Sequence, residues 1–180
     1  MLDEIKPNTG EEEVKIYFTG PMHTQAERIW NRMFKKELEK QAKSCYLTIK
    51  IFFSQDMAKK IIGGANPLSA PTEHEILEKF SVELDQSKIV VTILDGSNHH
   101  NSILLEANPH ELANKKIIGI LTDPRKTKSI ESFSIFGTLR TWDIMEKCDK
   151  IIEDCKFNED IKGLAEKVIN QIIEFCVNPA

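Results

Sequence analysis

The chain has 180 residues, and its 24 lysine and arginine residues against 28 aspartate and glutamate residues give a formal net charge of −4. A content of 41% hydrophobic and 29% charged residues is typical of one globular domain with its own core. The lysine and arginine residues are scattered along the chain, which argues against a surface that binds the phosphate backbone of a nucleic acid. No long apolar run is present, so we expect no membrane segment, no signal peptide and a cytoplasmic location.

The chain begins with a polar stretch that ends in three glutamates, and we expect residues 1–13 to form a flexible tail ahead of a single α/β domain at residues 14–180. Residues 14–19 (VKIYFT) are β-branched and aromatic, which predicts a first strand closed by Gly20 and Pro21. A helix is expected next, because apolar residues follow at nearly helical spacing. They are Ala26, Ile29, Trp30, Met33, Phe34 and Leu38.

A second strand is predicted at residues 46–53 (YLTIKIFF). The segment after it is interrupted by glycine and proline, which predicts a loop. These residues are Gly63, Gly64, Pro67 and Pro71. Thr72 can cap the next helix, with Glu75 at the fourth position of a capping box.

Two largely apolar runs, residues 89–94 and 116–121, predict central strands near residues 89–95 and 116–121 that are covered on both faces. Residues 150–153 predict a short edge strand, and residues 160–177 predict an amphipathic helix. Strands that alternate with helices favour a doubly wound, flavodoxin-like parallel sheet of five strands with helices on both faces. Ligands of such sheets bind beyond the carboxyl ends of the strands.

The cysteines show no CxxC pair and lie within apolar segments, so we expect buried small side chains without a disulfide. They are Cys45, Cys148, Cys155 and Cys176. The sequence shows no metal-binding cluster, and no metal or other cofactor is expected.

Several short motifs follow the predicted strands in a fixed order. They are Gly20-Pro21 with Ala26-Glu27-Arg28, Phe53-Ser54-Gln55-Asp56, Leu94-Asp95-Gly96 and Thr122-Asp123-Pro124-Arg125. In this order and spacing, the chain resembles the nucleoside 2-deoxyribosyltransferase family over residues 14–145. The resemblance implies an enzyme that transfers or hydrolyses the N-glycosidic bond of deoxynucleosides or their 5′-phosphates.

The family nucleophile is a glutamate, and Glu106 matches its position, eleven residues after Asp95 and nine before Lys115. A carboxylate of this kind traps an oxocarbenium-like centre as a glycosyl ester. The resemblance places Tyr17 beside it as the residue that orients it, and a proton for the departing base is expected from His100 or Asp95.

The resemblance further implies that the substrate, a nucleoside or nucleotide, lies near the strand ends and that the chain forms a homodimer or a higher homo-oligomer. The substrate-binding residues that it implies are Gly20, Pro21, Gln55, Asp56, Gly96 and Ser102. We expect Tyr17, Gly20, Asp95 and Glu106 to line one cleft.

The segment before Glu106 departs from the family pattern, because His100 replaces an aspartate and Ser102 replaces a glycine. Pro109 also interrupts the helix that follows the nucleophile in the family. The alternative hypothesis is therefore a catalytically silent relative that binds a nucleoside or nucleotide or acts as an assembly module.

Overall fold

The computed structural model describes residues 13–22, 24–63, 73–94, 112, 114–122, 147–153 and 160–177. The predicted tail at residues 1–13 lies outside this part of the chain except for Glu13, which is exposed. None of the helices in these ranges is both long enough and apolar enough to cross a bilayer.

The sheet has five parallel strands in the order β2-β1-β3-β4-β5. The strands are β1 (Val14–Thr19), β2 (Ile49–Phe53), β3 (Ile89–Ile93), β4 (Lys116–Leu121) and β5 (Lys150–Glu153). This is the predicted doubly wound, flavodoxin-like fold, which is therefore confirmed, with β2 and β5 as the edge strands.

Four helices complete the described fold. They are α1 (Gln25–Ser44), α2 (Ser54–Gly63), α3 (Glu73–Asp85) and α4 (Ile161–Val177). The loop predicted directly after the second strand is wrong over residues 54–63, where α2 follows β2 without a break. Ser54 and Asp56 are residue types that favour a helix start. Their effect outweighs that of the glycines at the end of the segment, which had favoured a loop.

Side chains alternate between the two faces of the sheet and form two separate apolar clusters. The first cluster joins Ile16, Phe18 and Val91 to α1 and α4, and the second joins Tyr17 and Val90 to α3. In the first cluster Phe18 stacks on Phe53 with ring centroids 5.1 Å apart. Every residue of β3 is buried, which explains why its sequence is apolar without alternation.

Helix α1 presents a narrower apolar face than its sequence predicts. Phe34, Leu38 and Ala42 are wholly buried, whereas Ile29 and Met33 are 48% and 51% exposed. The buried face is the one that packs against α4, and its spacing of four residues keeps it on one side of the helix.

The prediction of buried cysteines is wrong for two of the four. Cys45 and Cys176 are exposed because they lie at the carboxyl ends of α1 and α4, beyond the last buried residues of these helices. Cys148 is partly buried and packs against the second cluster. Cys155 lies outside the described residues.

Candidate functional site

The strand order reverses between β1 and β3. From β1 the chain first adds β2 on one side and then returns to add β3 on the other, so the connections at the carboxyl ends diverge there. A parallel sheet of this order binds its ligand in the crevice at this switch point. The candidate site is therefore built from the residues that end β1, β2 and β3.

Three small hydroxyl side chains, Thr19, Ser54 and Thr92, lie at the carboxyl ends of these strands. Thr19 is opposite Thr92 in the β1/β3 register, and the Ser54 hydroxyl donates to the Thr19 hydroxyl at 3.4 Å. All three are at most 1% exposed. We call Ser54, Thr19 and Thr92 the hydroxyl row, which gives the sheet a polar border below the switch point.

The turn from β1 to α1 starts at a glycine that has no room for a side chain. A Cβ atom at Gly20 would lie 2.8 Å from Ile93 Cδ1 and 3.3 Å from Asn31 Oδ1. The close packing of Gly20 therefore fixes the path of the backbone between β3 and α1.

The same turn ends in a complete capping box. The Thr24 hydroxyl accepts from the Glu27 backbone N–H at 3.1 Å, and the Glu27 carboxylate accepts from the Thr24 backbone N–H at 2.8 Å. The Arg28 guanidinium donates to the Met22 carbonyl at 2.8 Å. The start of α1 thus uses its own side chains to bind the polar backbone groups of the turn.

A buried amide pair ties this turn to the start of α2. The Asn31 side chain donates to the Pro21 carbonyl at 2.8 Å and to the Gln55 side-chain oxygen at 3.4 Å. Gln55 in turn donates to the Arg28 carbonyl at 3.1 Å. Asn31 is 1% and Gln55 is 4% exposed, so water does not compete for these bonds.

Tyr17 lies on the same face of β1 as Thr19, two residues earlier, and is wholly buried. Its hydroxyl and one carboxylate oxygen of Glu83 are buried without a hydrogen-bond partner among the described residues. Burial, and to a lesser extent the negative charge of Glu83, raises the pKa of the Tyr17 phenol well above its ordinary value. Tyr17 therefore stays protonated, and its hydroxyl can donate one hydrogen bond and accept another.

The predicted site residues divide into two groups. Those within the described chain are Tyr17, Gly20, Pro21, Gln55 and Asp56; those outside it are Asp95, Gly96, His100, Ser102 and Glu106.

Asn31 brings Pro21 and Gln55 together, next to Gly20, whereas Tyr17 belongs to the second core cluster. Asp56 is half-buried in the first turn of α2. The roles predicted for Tyr17 and Glu106 stay predictions.

The sequence reasoning missed Asn31, Glu27 and the hydroxyl row. The signal for Asn31 was a polar residue within the apolar spacing of α1, since it lies three residues before Phe34. The signal for Glu27 was its place three residues after Thr24, which is the capping-box spacing. In the ranges that the structure describes, no group of three or more His, Cys, Asp or Glu side chains is arranged to hold a metal ion.

No family model matches this chain, and no curated protein matches it. The chain is similar to the crystal structure of a conserved protein from Enterococcus faecalis, with a TM-score of 0.59 and 18% identity over 89% of this chain and 99% of that one. It is also similar to an oxidoreductase from Corynebacterium diphtheriae, with a TM-score of 0.50 and 10% identity over 90% of this chain and 97% of that one. At these identities the likeness establishes the flavodoxin-like fold.

The comparisons contradict the function predicted from the family resemblance. The similar structure whose name gives an activity is the corynebacterial oxidoreductase, and it is not named as a protein that cleaves N-glycosidic bonds. The predicted glycosyl transferase or hydrolase is therefore wrong, and so is its alternative, a silent nucleoside-binding relative. The sequence motifs gave a wrong function because proteins that share one fold can carry similar short turn motifs at their strand ends and still have different activities. The family resemblance itself stays a prediction.

Proteins with this strand order include flavodoxin, which holds flavin mononucleotide at the β1/β3 switch point. A phosphate there needs unengaged N–H donors and positive charge. In this chain Pro21 has no N–H, the N–H groups of Thr24 and Glu27 are engaged, and a carboxylate lies at the helix start. Two N–H groups of this turn are therefore engaged by side chains of α1 and its cap.

Proposed function

We propose that this chain is an enzyme of the oxidoreductase class that binds a small organic ligand at the β1/β3 switch point. The observation that carries the proposal is the strand order β2-β1-β3-β4-β5, which opens a crevice beside the carboxyl ends of β1 and β3. The reaction class is supported by the similarity to the corynebacterial oxidoreductase.

The border of this crevice is polar and held in place. Thr19 and Thr92 lie side by side where β1 and β3 end, and Ser54, the first residue of α2 after β2, continues the same row. All three side chains are buried, and the Ser54 hydroxyl donates to the Thr19 hydroxyl, so the row holds the ends of the strands in place.

The turn above the border is held by the amide pair and by the packing of Gly20. Asn31 binds the Pro21 carbonyl, and Gly20 lies against Ile93. A binding turn fixed in this way loses little conformational freedom when a ligand arrives, which favours affinity.

The proposal is tested by measuring the oxidation of reduced nicotinamide dinucleotides in the presence of quinone or azo-dye acceptors, with and without added riboflavin. A matched pair of glycine variants locates the activity. In Gly20→Ala and in Gly163→Ala the new Cβ would meet its nearest side-chain atom at 2.8 Å, but Gly163 lies in α4, away from the switch point.

We expect acceptor-dependent turnover in the natural protein and in Gly163→Ala. Gly20→Ala should lose about tenfold or more of this turnover, because the displaced turn misplaces the ligand. Circular dichroism and a thermal melt verify that both variants are folded. Absence of acceptor reduction under every condition, or equal turnover in the two variants, would contradict the proposal.

A further inference from the structure

We propose that the outward side of α1 is a docking surface for an acidic amphipathic helix of another protein. The exposed side chains of α1 between residues 26 and 43 lie along one side of the helix, opposite to the buried Phe34 and Leu38. We call them the outer stripe. They are Ala26, Ile29, Arg32, Met33, Lys36, Lys40 and Lys43.

The spacing of the outer stripe suits contact with a second helix. From Ala26 to Lys43 its residues are alternately three and four positions apart, with Arg32 as an additional neighbour. This average of about 3.5 residues is the spacing at which two helices keep contact along a common seam. Residues 26–43 extend over about 26 Å, so a partner helix of about five turns can follow the whole stripe.

The amino-terminal half of the outer stripe is apolar. Ile29 is 48% and Met33 is 51% exposed, and both belong to the five large hydrophobic side chains that are exposed among the described residues. Single exposed apolar residues are common on protein surfaces. These two, however, lie one turn apart on the same side of one helix, next to Ala26. A partner that covers both removes a continuous apolar surface from water.

The carboxyl-terminal half of the outer stripe is cationic. Lys36 and Lys43 form no ion pair within the described chain, and Lys40 is 70% exposed although it contacts Glu37 at 3.2 Å. Helix α1 has six lysine and arginine residues against three glutamates, a net charge of +3, whereas the whole chain has a net charge of −4. The rest of the chain therefore carries −7, and the cations of the stripe attract the carboxylates of a partner.

Two other occupants fit the outer stripe less well. If two copies of α1 paired in parallel, their lysines would face one another, and if they paired antiparallel, the lysines would face Ile29 and Met33. An anionic membrane is a broad surface that would also repel the charge of −7 on the rest of the chain. A single acidic helix contacts only the stripe, and its apolar and acidic halves match the two halves of α1.

The first experiment measures by fluorescence anisotropy how a synthetic helical peptide binds to the full chain. The peptide is alanine-based and about five turns long, with leucine at the seam positions of one half and glutamate at those of the other. Both orders are made, to allow for either helix direction, and a matched peptide of each order has glutamine for glutamate. We expect one glutamate peptide to bind saturably and about tenfold more tightly than its glutamine match at low salt, and more weakly as salt is added.

Matched variants on opposite faces of the sheet locate the binding. Met33→Gln and Val82→Gln each replace an apolar side chain that is 51% exposed, but Val82 lies on α3. Lys36→Gln and Lys79→Gln each remove one exposed cation, from α1 and from α3. We expect each α1 variant to weaken peptide binding by about threefold to fivefold and the α3 variants to leave it unchanged. Circular dichroism verifies that all four variants are folded.

The second experiment tests the other occupants with the natural protein and Met33→Gln. It measures sedimentation with vesicles of phosphatidylserine and phosphatidylcholine, and the sedimentation velocity of the chain alone. Vesicle binding or self-association that Met33→Gln abolishes would overturn the inference. So would peptide binding that shows no preference for glutamate, or that the α1 variants leave unchanged. None of these measurements uses turnover, so their outcome is independent of the proposed function.

Discussion

The negative charge of Glu83 on α3 acts on the buried phenol of Tyr17 on β1, yet no hydrogen bond joins the two side chains. Each therefore carries a buried polar atom without a hydrogen-bond partner in the described chain. Buried polar atoms of this kind normally lower the stability of a fold.

Replacing Tyr17 by phenylalanine removes one of these atoms and keeps the ring that packs in the cluster. We expect Tyr17→Phe to raise the free energy of unfolding by about 1 kcal/mol, because the hydroxyl no longer has to leave water unpaired. Urea denaturation measures the change. Tyr46→Phe is the matched control, since the Tyr46 side chain is 85% exposed. A loss of stability in Tyr17→Phe would mean that the hydroxyl has a partner.

Cys148 should be much less reactive than the exposed Cys45. Burial, with a smaller contribution from the charge of Asp149, raises the pKa of the Cys148 thiol from 9.0 to about 12. Since the thiolate is the reactive form, Cys148 should react with a disulfide reagent at pH 8 only when the chain unfolds, whereas Cys45 reacts in the folded protein. Mass spectrometry of the labelled protein identifies the modified residue.

The raised pKa of the Cys148 thiol also predicts that the free energy of unfolding decreases at alkaline pH. The unfolded thiol ionises near its ordinary value of 9.0, whereas the folded thiol keeps its proton up to about 12. The stability from this group is therefore fully present below pH 9.0 and decreases as pH rises from 9.0 towards 12. Cys148→Ala should show a smaller decrease than the natural protein in urea titrations over this range. Equal pH profiles would contradict the assigned environment.

Tyr46 has a strained backbone at the end of α1. Its φ angle is 56°, and it occupies the left-handed position of a closing turn in which Leu47 donates its N–H to the Ala42 carbonyl at 2.9 Å. We expect Tyr46→Gly to stabilise the protein by about 1 kcal/mol, because glycine adopts this conformation without strain. Cys45→Gly should give no such gain in the same urea measurement, since the φ of Cys45 is −95°.

Asn31→Ala should lower the free energy of unfolding by about 2 kcal/mol, because the Pro21 carbonyl and the Gln55 side chain lose a buried donor. Asn170→Ala on the exposed side of α4 is the control and should change stability little. A thermal or urea melt measures both variants. An unchanged stability in Asn31→Ala would show that the turn does not depend on the amide pair.

Sequence patterns were sufficient for the strands because each contains a short apolar run, and the central strands β3 and β4 are almost wholly buried. The predicted bounds of β1, β4 and β5 agree with the structure. The second strand begins at Ile49 and not at residue 46, because residues 45–47 close the carboxyl end of α1. Helix α2 was missed because glycine and proline signals further on dominated the prediction.

The candidate site was less predictable, since its contacts depend on which strands become neighbours. Thr19 and Thr92 are 73 residues apart in the sequence and adjacent only through the β1/β3 register. Asn31 and Gln55 meet because two separate turns converge at one edge of the sheet. No local periodicity encodes such contacts, and the activity of a flavodoxin-like fold is set by site residues, so it does not follow from the fold.

The first core cluster is completed by the last helix of the described fold. Leu164, Val168 and Ile172 of α4 cover the face that Ile16 and Phe18 present from β1, although the whole sheet lies between these segments in the chain. During synthesis on the ribosome, α1 alone can cover part of this apolar face until α4 has emerged. A chain that ends before α4 would leave the rest of this face exposed, and exposed apolar surface favours aggregation.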